Sequence, residues 1–148
     1  MAGWQSALSR AAPRVAALTW AAYAVTRVAA YASTSPPQLQ QVHEILPLWI
    51  PWTVVATLLV LGGLVPPRAG LRSKALARGM RQWGSVISTM TLGIWAVAFL
   101  LADASRGWVS AVNYFMLTAF AVLSGWIMSR EVASVRAVQG GDAYAPMD

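Results

Sequence analysis

Few side chains in this sequence could carry out covalent chemistry, and they lie far apart. The chain has one histidine, His43, beside Glu44, and it has no cysteine. A zinc site takes three or four ligands, so this pair alone does not predict one. Ser85, Ser88 and Ser124 have no histidine or carboxylate in the same apolar stretch to act as a base. We therefore predict no catalytic residue, no metal and no cofactor, and hence a protein that is not an enzyme.

The composition indicates a membrane protein. Of the 148 residues, 57% are hydrophobic and 11% are charged, whereas soluble domains carry about 25% charged residues. The mean hydropathy is +0.54, and apolar runs of membrane length are typical of helical membrane proteins. The net charge of +6 comes mostly from basic residues between the apolar runs, where orientation and anionic lipid explain them. We therefore predict the lipid bilayer as a partner and no nucleic acid.

The segment Pro66–Trp83 organises the chain, because it concentrates positive charge between two apolar runs. Its five basic residues, with no acid among them, are Arg68, Arg72, Lys74, Arg78 and Arg81. Short Lys/Arg-rich loops resist translocation and stay in the cytoplasm. Leu71, Ala75 and Gly79 recur every four residues, which predicts an amphipathic helix lying among the lipid headgroups. We interpret 66–82 as a basic cytoplasmic loop that determines topology; a specific lipid or partner site is the alternative.

The apolar runs predict an all-α fold with four transmembrane helices in one domain, 1–148. The spans cover about 15–32, 47–65, 83–102 and 108–127, and a flexible tail covers 129–148. The leader, the basic loop and the tail hold nine of the eleven basic residues. By the positive-inside rule, both termini are cytoplasmic in a multi-pass protein of the cytoplasmic (inner) membrane.

The first span leaves two questions open. Arg27 lies near its far end, where a long side chain can reach the outer interface; a buried charge in a pore or interface is the alternative. Arg10, Arg14, an apolar run and then Ala30-Tyr31-Ala32 also fit a secretory signal that is cleaved before Ser33. We expect the span to stay attached.

The loop after the first span is predicted to be external. It has no basic residue, and Gln38–Glu44 can form a short surface helix. Trp49 and Trp52 open the second span, so we place both at the outer interface, where tryptophan is enriched.

Small and polar residues in the last two spans predict helix association. Small residues allow close backbone approach, and a polar side chain can hydrogen-bond to another helix. The predicted association residues are Ser85, Thr89, Gly93, Asn113, Ala121 and Gly125. We predict that the small residues form contacts between copies or with another membrane protein; in the alternative interpretation those of the third span pack within one protomer, against those of the fourth. For Asn113 we predict a hydrogen bond to another helix, and a water-lining position is the alternative.

In architecture, the whole chain resembles the small four-span, Trp-rich and Ala-rich holin-like proteins of actinobacterial phage lysis cassettes. The shared features are a basic cytoplasmic loop, short external turns and a polar tail, without a diagnostic motif. The tail departs from the strongly basic tail of many holins, since Arg130 and Arg136 accompany Glu131, Asp142 and Asp148. The resemblance implies a homo-oligomer that permeabilises the membrane during lysis. The alternative function is an accessory or assembly subunit of a larger membrane complex, or a phage exclusion factor.

Overall fold

The computed structural model describes residues 2–34, 36–66, 69–102 and 104–141, with side chains for 11–34, 36–66, 69–102 and 107–128. It is 92% helix, and no strand occurs in those ranges. The helices are α1 (Ala2–Ser33), α2 (Gln40–Ile45), α3 (Trp49–Leu64), α4 (Leu71–Ala102) and α5 (Ala104–Gly141), with a 3₁₀ turn at Pro37–Leu39. The prediction of an all-α fold is confirmed, as is the short helix between the first two long ones.

The four long helices form an antiparallel bundle in which α1 packs on α3, α3 on α4, α4 on α5, and α5 back on α1. Two side-chain contacts join α1 to α5. The Trp20 indole N–H donates to Ser124 Oγ at 2.9 Å, and the Tyr31 and Tyr114 hydroxyls lie 3.2 Å apart. Because Trp20 and Tyr31 both lie in the second half of α1, these contacts place that half of the helix along α5.

Two helical segments, Leu71–Ala102 and Gly107–Met128, are long and apolar enough to cross a membrane. A third candidate is the pair Pro37–Ile45 and Trp49–Leu64, which are bent by 75° relative to each other. With 16 residues, α3 is about 24 Å long, shorter than a typical hydrocarbon core. α1 is not among the candidates; its apolar residues are mostly alanine, and Arg27 interrupts them. The described residues therefore contain two to three candidate spans, which indicate a membrane protein, where four were predicted.

Two long helices continue past the apolar runs. α4 begins at Leu71, so most of the basic loop 66–82 is helical. A helix was predicted in this segment, and it is continuous with the third span. α5 continues through Gly141, where a flexible tail from 129 was predicted; residues 142–148 lie outside the described part. Pro13 lies inside α1. Charged side chains are compatible with a helix wherever it extends into water, so hydropathy does not mark these ends.

Candidate helix-association surface

Three of the predicted association residues meet inside the protomer. The Ser85 hydroxyl donates to the backbone carbonyl of Ala121 at 3.2 Å. A Cβ added to Gly125 would lie 2.5 Å from Ser85 Oγ, so glycine is what allows α5 to approach α4 here. Ser85 and Ala121 are buried. These contacts follow the alternative interpretation, in which small residues of the third and fourth spans pack within one chain.

Thr89 and Gly93 are placed differently from Ser85. Thr89 is half-buried and lies at the edge of a groove on the outside of the bundle. A Cβ added to Gly93 would have no atom within 4 Å, so this glycine closes no contact within the chain. The predicted face is therefore divided: its first residue packs internally, and the other two remain available to a neighbour.

The α4–α5 groove is the surface on which Thr89 lies. It has a volume of about 370 Å³ and opens outward between the two helices. The lining residues are Gln82, Ser85, Val86, Thr89 and Met90 of α4 and Val122, Gly125 and Trp126 of α5. The small residues Ser85 and Gly125 are among its lining, and small residues let a second helix approach the backbone. Chemically, the groove is suited to apolar packing with a few hydroxyl hydrogen bonds.

Asn113 lies on the outer face of α5. Its side chain is exposed, and its amide makes no hydrogen bond to the described residues. Its α5 neighbours Val109, Val112 and Met116 are also exposed. A polar amide therefore lies on an otherwise apolar outer face.

The basic residues of the organising segment have different environments. Arg72 and Lys74 are exposed, and Arg78 is half-buried; Arg68 lies outside the described residues. Arg81 is only 5% exposed, and its Nη1 donates to the Gly62 carbonyl at 3.0 Å. It binds one of the last carbonyls of α3, which lack partners within that helix and lie at its negative end. Assigning Arg81 to the headgroups was therefore wrong.

The sequence interpretation missed an aromatic layer at the end of the bundle opposite Arg81. Trp95, 2% exposed, is at its centre. Its ring makes edge contacts with those of Tyr31, Trp52 and Tyr114 at centroid distances of 4.8, 5.3 and 5.8 Å. Trp52 has no exposed surface, so its predicted place at the lipid interface was wrong, whereas Trp49 is exposed. The available signal was that every long helix carries an aromatic residue near this end.

Arg27 borders this layer. It is half-buried, and its Cζ lies 4.8 Å from the ring centroid of Tyr23 and 5.8 Å from that of Tyr114. Tyrosine faces attract a guanidinium through their quadrupole. The two rings therefore keep the guanidinium next to the bundle. Arg27 is neither fully exposed, as at the outer interface, nor fully buried.

The described residues offer little for metal binding or acid–base chemistry. No group of three or more His, Cys, Asp or Glu side chains capable of holding a metal ion occurs among them. His43 Nδ1 accepts from the Leu48 backbone N–H at 3.4 Å, which helps to close the turn before α3. Ser88 is buried, and its hydroxyl has no hydrogen-bond partner in the described part of the chain.

Comparison with known proteins adds no relative. No protein-family model matches the chain, and no match was found among curated proteins or among solved structures.

Proposed function

We propose that this chain is a holin-like protein that oligomerises in the cytoplasmic membrane and permeabilises it during phage lysis. The observation that carries the proposal is the α4–α5 groove, an open surface on the apolar exterior whose floor is made of small residues. Apolar contact alone gives little gain in lipid, so close backbone approach is what favours helix association there. A helix from another copy placed in this groove would contact Thr89 and the backbone near Gly125.

The proposal includes four spans and cytoplasmic termini. Arrangement of the bundle supports α1 as a span, because α1 contacts α5 at both Trp20 and Tyr31 and α5 is itself a candidate span. The cost of Arg27 in such a helix is reduced by the tyrosine rings beside it. The antiparallel order places the starts of α1 and α4 and the ends of α3 and α5 together, with most of the basic residues at that end.

Topology is tested with reporter fusions. Fusions after Gln38 and after Asp103 should report an external location, and a fusion after Lys74 should report a cytoplasmic one. An external Lys74 would overturn the proposed orientation.

Mass measurement of the membrane-extracted protein tests the amino terminus, since a species beginning at Ser33 would mean that α1 is removed.

The proposed mechanism is physical. Copies accumulate in the membrane, associate through their outer surfaces, and open a lesion that collapses the proton gradient and releases an endolysin. The Thr89 hydroxyl, at the groove edge, can meet water once such a lesion forms. No covalent step is required of any residue.

Induction of the chain alone in a bacterial host tests this function. Membrane potential, followed with a voltage-sensitive dye, should collapse abruptly after a fixed delay. Thr89→Phe fills the groove and should lengthen or abolish the delay-timed collapse. Val97→Phe is the matched control, because Val97 is exposed on the same helix and does not line the groove. Accumulation of the wild-type chain without depolarisation would refute the proposal.

A second candidate is an accessory subunit of a larger membrane complex, and the aromatic layer favours it. Trp52 and Trp95 are fully packed against each other and against tyrosines of two further helices. A core of this kind is suited to a fixed scaffold that presents its outer surface to a partner. Such a subunit would accumulate without abrupt depolarisation, and removing its partner would lower its abundance.

A further inference from the structure

The outer face of α5 carries a seven-residue repeat of exposed side chains. The helix packs into the bundle through a single side, which includes Ala111, Tyr114 and Ala121. On the opposite side, exposed residues recur at alternating spacings of four and three. We call this row the α5 seam; its members are Val109, Asn113, Met116, Phe120, Leu123 and Ile127. A repeat of seven is the period at which two helices pack side by side with a left-handed crossing.

Asn113 is the one polar residue of the α5 seam, and it is the only asparagine in the chain. It lies five residues after Trp108, at which the predicted fourth span begins, so its amide is about 7.5 Å into that span. A carboxamide in hydrocarbon without a partner costs free energy. Because Asn113 has no such partner among the described residues of its own chain, the cost is relieved only by a group on another molecule.

We infer that two copies of this chain pair through the α5 seam, with the two Asn113 amides hydrogen-bonded to each other. A carboxamide has both a donor and an acceptor, so two of them related by a two-fold axis can satisfy each other. All copies inserted with one orientation run parallel, which brings each residue of the seam opposite the same residue of its partner. A single polar residue at such a position sets the register and the number of helices in a parallel pair.

The pairing goes beyond the proposed function, because the pair forms whether or not the assembly lyses cells. Another membrane protein on this face would need its own amide at the matching depth. A second copy supplies that amide, the matching apolar residues and the matching orientation together. The seam therefore fits a second copy in every feature that the chain presents.

Single cysteines test the seam directly, because the chain has no cysteine of its own. Met116→Cys lies in the seam, and Phe115→Cys is the control. Both positions are exposed, but Phe115 is not a seam residue, because successive residues point about 100° apart around a helix. A disulfide needs Cβ atoms about 3.5–4.5 Å apart. With the full chain in native membranes at low density, oxidation should give dimers for Met116→Cys and monomers for Phe115→Cys. Equal crosslinking at both positions, or none at Met116, would overturn the proposed face.

Substitution of the amide tests the proposed hydrogen bond. Energy transfer between labelled full-length chains in phosphatidylcholine–phosphatidylglycerol vesicles gives the dimer fraction as a function of protein density. Asn113→Leu should weaken the pair about 3- to 30-fold, the range measured for polar contacts between membrane helices. Asn113→Gln keeps the carboxamide and should retain most of the affinity. Equal association of Asn113→Leu and wild type, or monomers at every density, would contradict the inference.

The outcomes separate the pair from the proposed function. Dimers that crosslink at Met116 without depolarisation on induction support the pair and refute lysis. Depolarisation by a chain that remains monomeric in the crosslinking and vesicle experiments refutes the pair and leaves the proposed function standing.

Discussion

Replacing Gly62 with alanine should destabilise the bundle at the contact between α3 and α4. The added Cβ would lie 2.7 Å from Arg81 Cγ, 2.8 Å from the Ala77 carbonyl oxygen and 3.1 Å from the Arg81 nitrogen. Two of these three atoms belong to the backbone of α4, so rotation of a side chain cannot relieve the overlap. The two helices must separate, and the hydrogen bond from Arg81 to the Gly62 carbonyl must lengthen.

The expected magnitude combines three terms. Overpacking of a well-packed contact costs about 1–3 kcal/mol. Weakening a hydrogen bond from a charged donor adds up to about 1.5–3 kcal/mol if it is lost entirely. Alanine offsets part of this, because it is favoured over glycine within a helix by about 1 kcal/mol. A net loss of about 1–3 kcal/mol in the free energy of unfolding follows when the hydrogen bond is only partly weakened.

The measurement is unfolding of the full chain in mixed detergent micelles, followed by tryptophan fluorescence. Gly79→Ala is the matched control. Gly79 lies in α4 close to Arg81, but a Cβ at this position has no atom within 4 Å, so this change should be neutral or slightly stabilising. If Gly62→Ala unfolds like the wild type while Gly79→Ala is destabilised, the helices do not approach as described.

Three further substitutions test the packing and the outer face. Trp95→Ala removes the centre of the aromatic layer and should lower the free energy of unfolding by about 3–5 kcal/mol. Trp49→Ala is the control and should cost much less, because Trp49 is exposed. Equal losses for the two variants would contradict the placement of Trp95 in the core. Gly125→Ala should be destabilising because its Cβ meets Ser85 Oγ at 2.5 Å, and Ser85→Ala should rescue it, since the remaining contact is an ordinary 3.4 Å; additive losses from the pair would argue against this. Gly93→Leu should leave unfolding in micelles unchanged, because a Cβ there has no atom within 4 Å, and should delay depolarisation in cells; reduced stability would place Gly93 inside the protomer.

The all-helical fold and the candidate spans in α4 and α5 could be predicted from the sequence because they depend on local hydropathy. Helix ends could not, since a basic or polar turn outside the membrane can continue a helix as well as end it. Arg72 and Arg81 show the same limit for side chains. Both belong to one basic segment, yet the first is exposed and the second is buried against Gly62. The difference arises because the end of α3 meets α4 at Ala77 and Arg81, a position that neither segment encodes alone.

The association residues show what residue type predicts and what it does not. Small size correctly indicated that a helix approaches Ser85 and Gly125, but not that the helix belongs to the same chain. The polarity of Asn113 predicted a hydrogen-bond partner on another helix. In the structure its side chain is exposed on the outside of the bundle, away from the other helices of the chain. Trp52 was misplaced because an interfacial and a buried tryptophan look alike in sequence when both start a span.

Symmetry connects the two outer surfaces of the bundle. Pairing through the α5 seam uses the same surface on both copies, so this interface alone gives a dimer and no larger assembly. A lesion large enough to release a protein needs further growth, and growth needs a second surface that the pair leaves open. The α4–α5 groove meets this requirement in part, because it uses Thr89 and Met90 of α4, which the seam does not use. Dimers joined through their grooves could then extend, whereas a chain with only one of the two surfaces would stop at a pair.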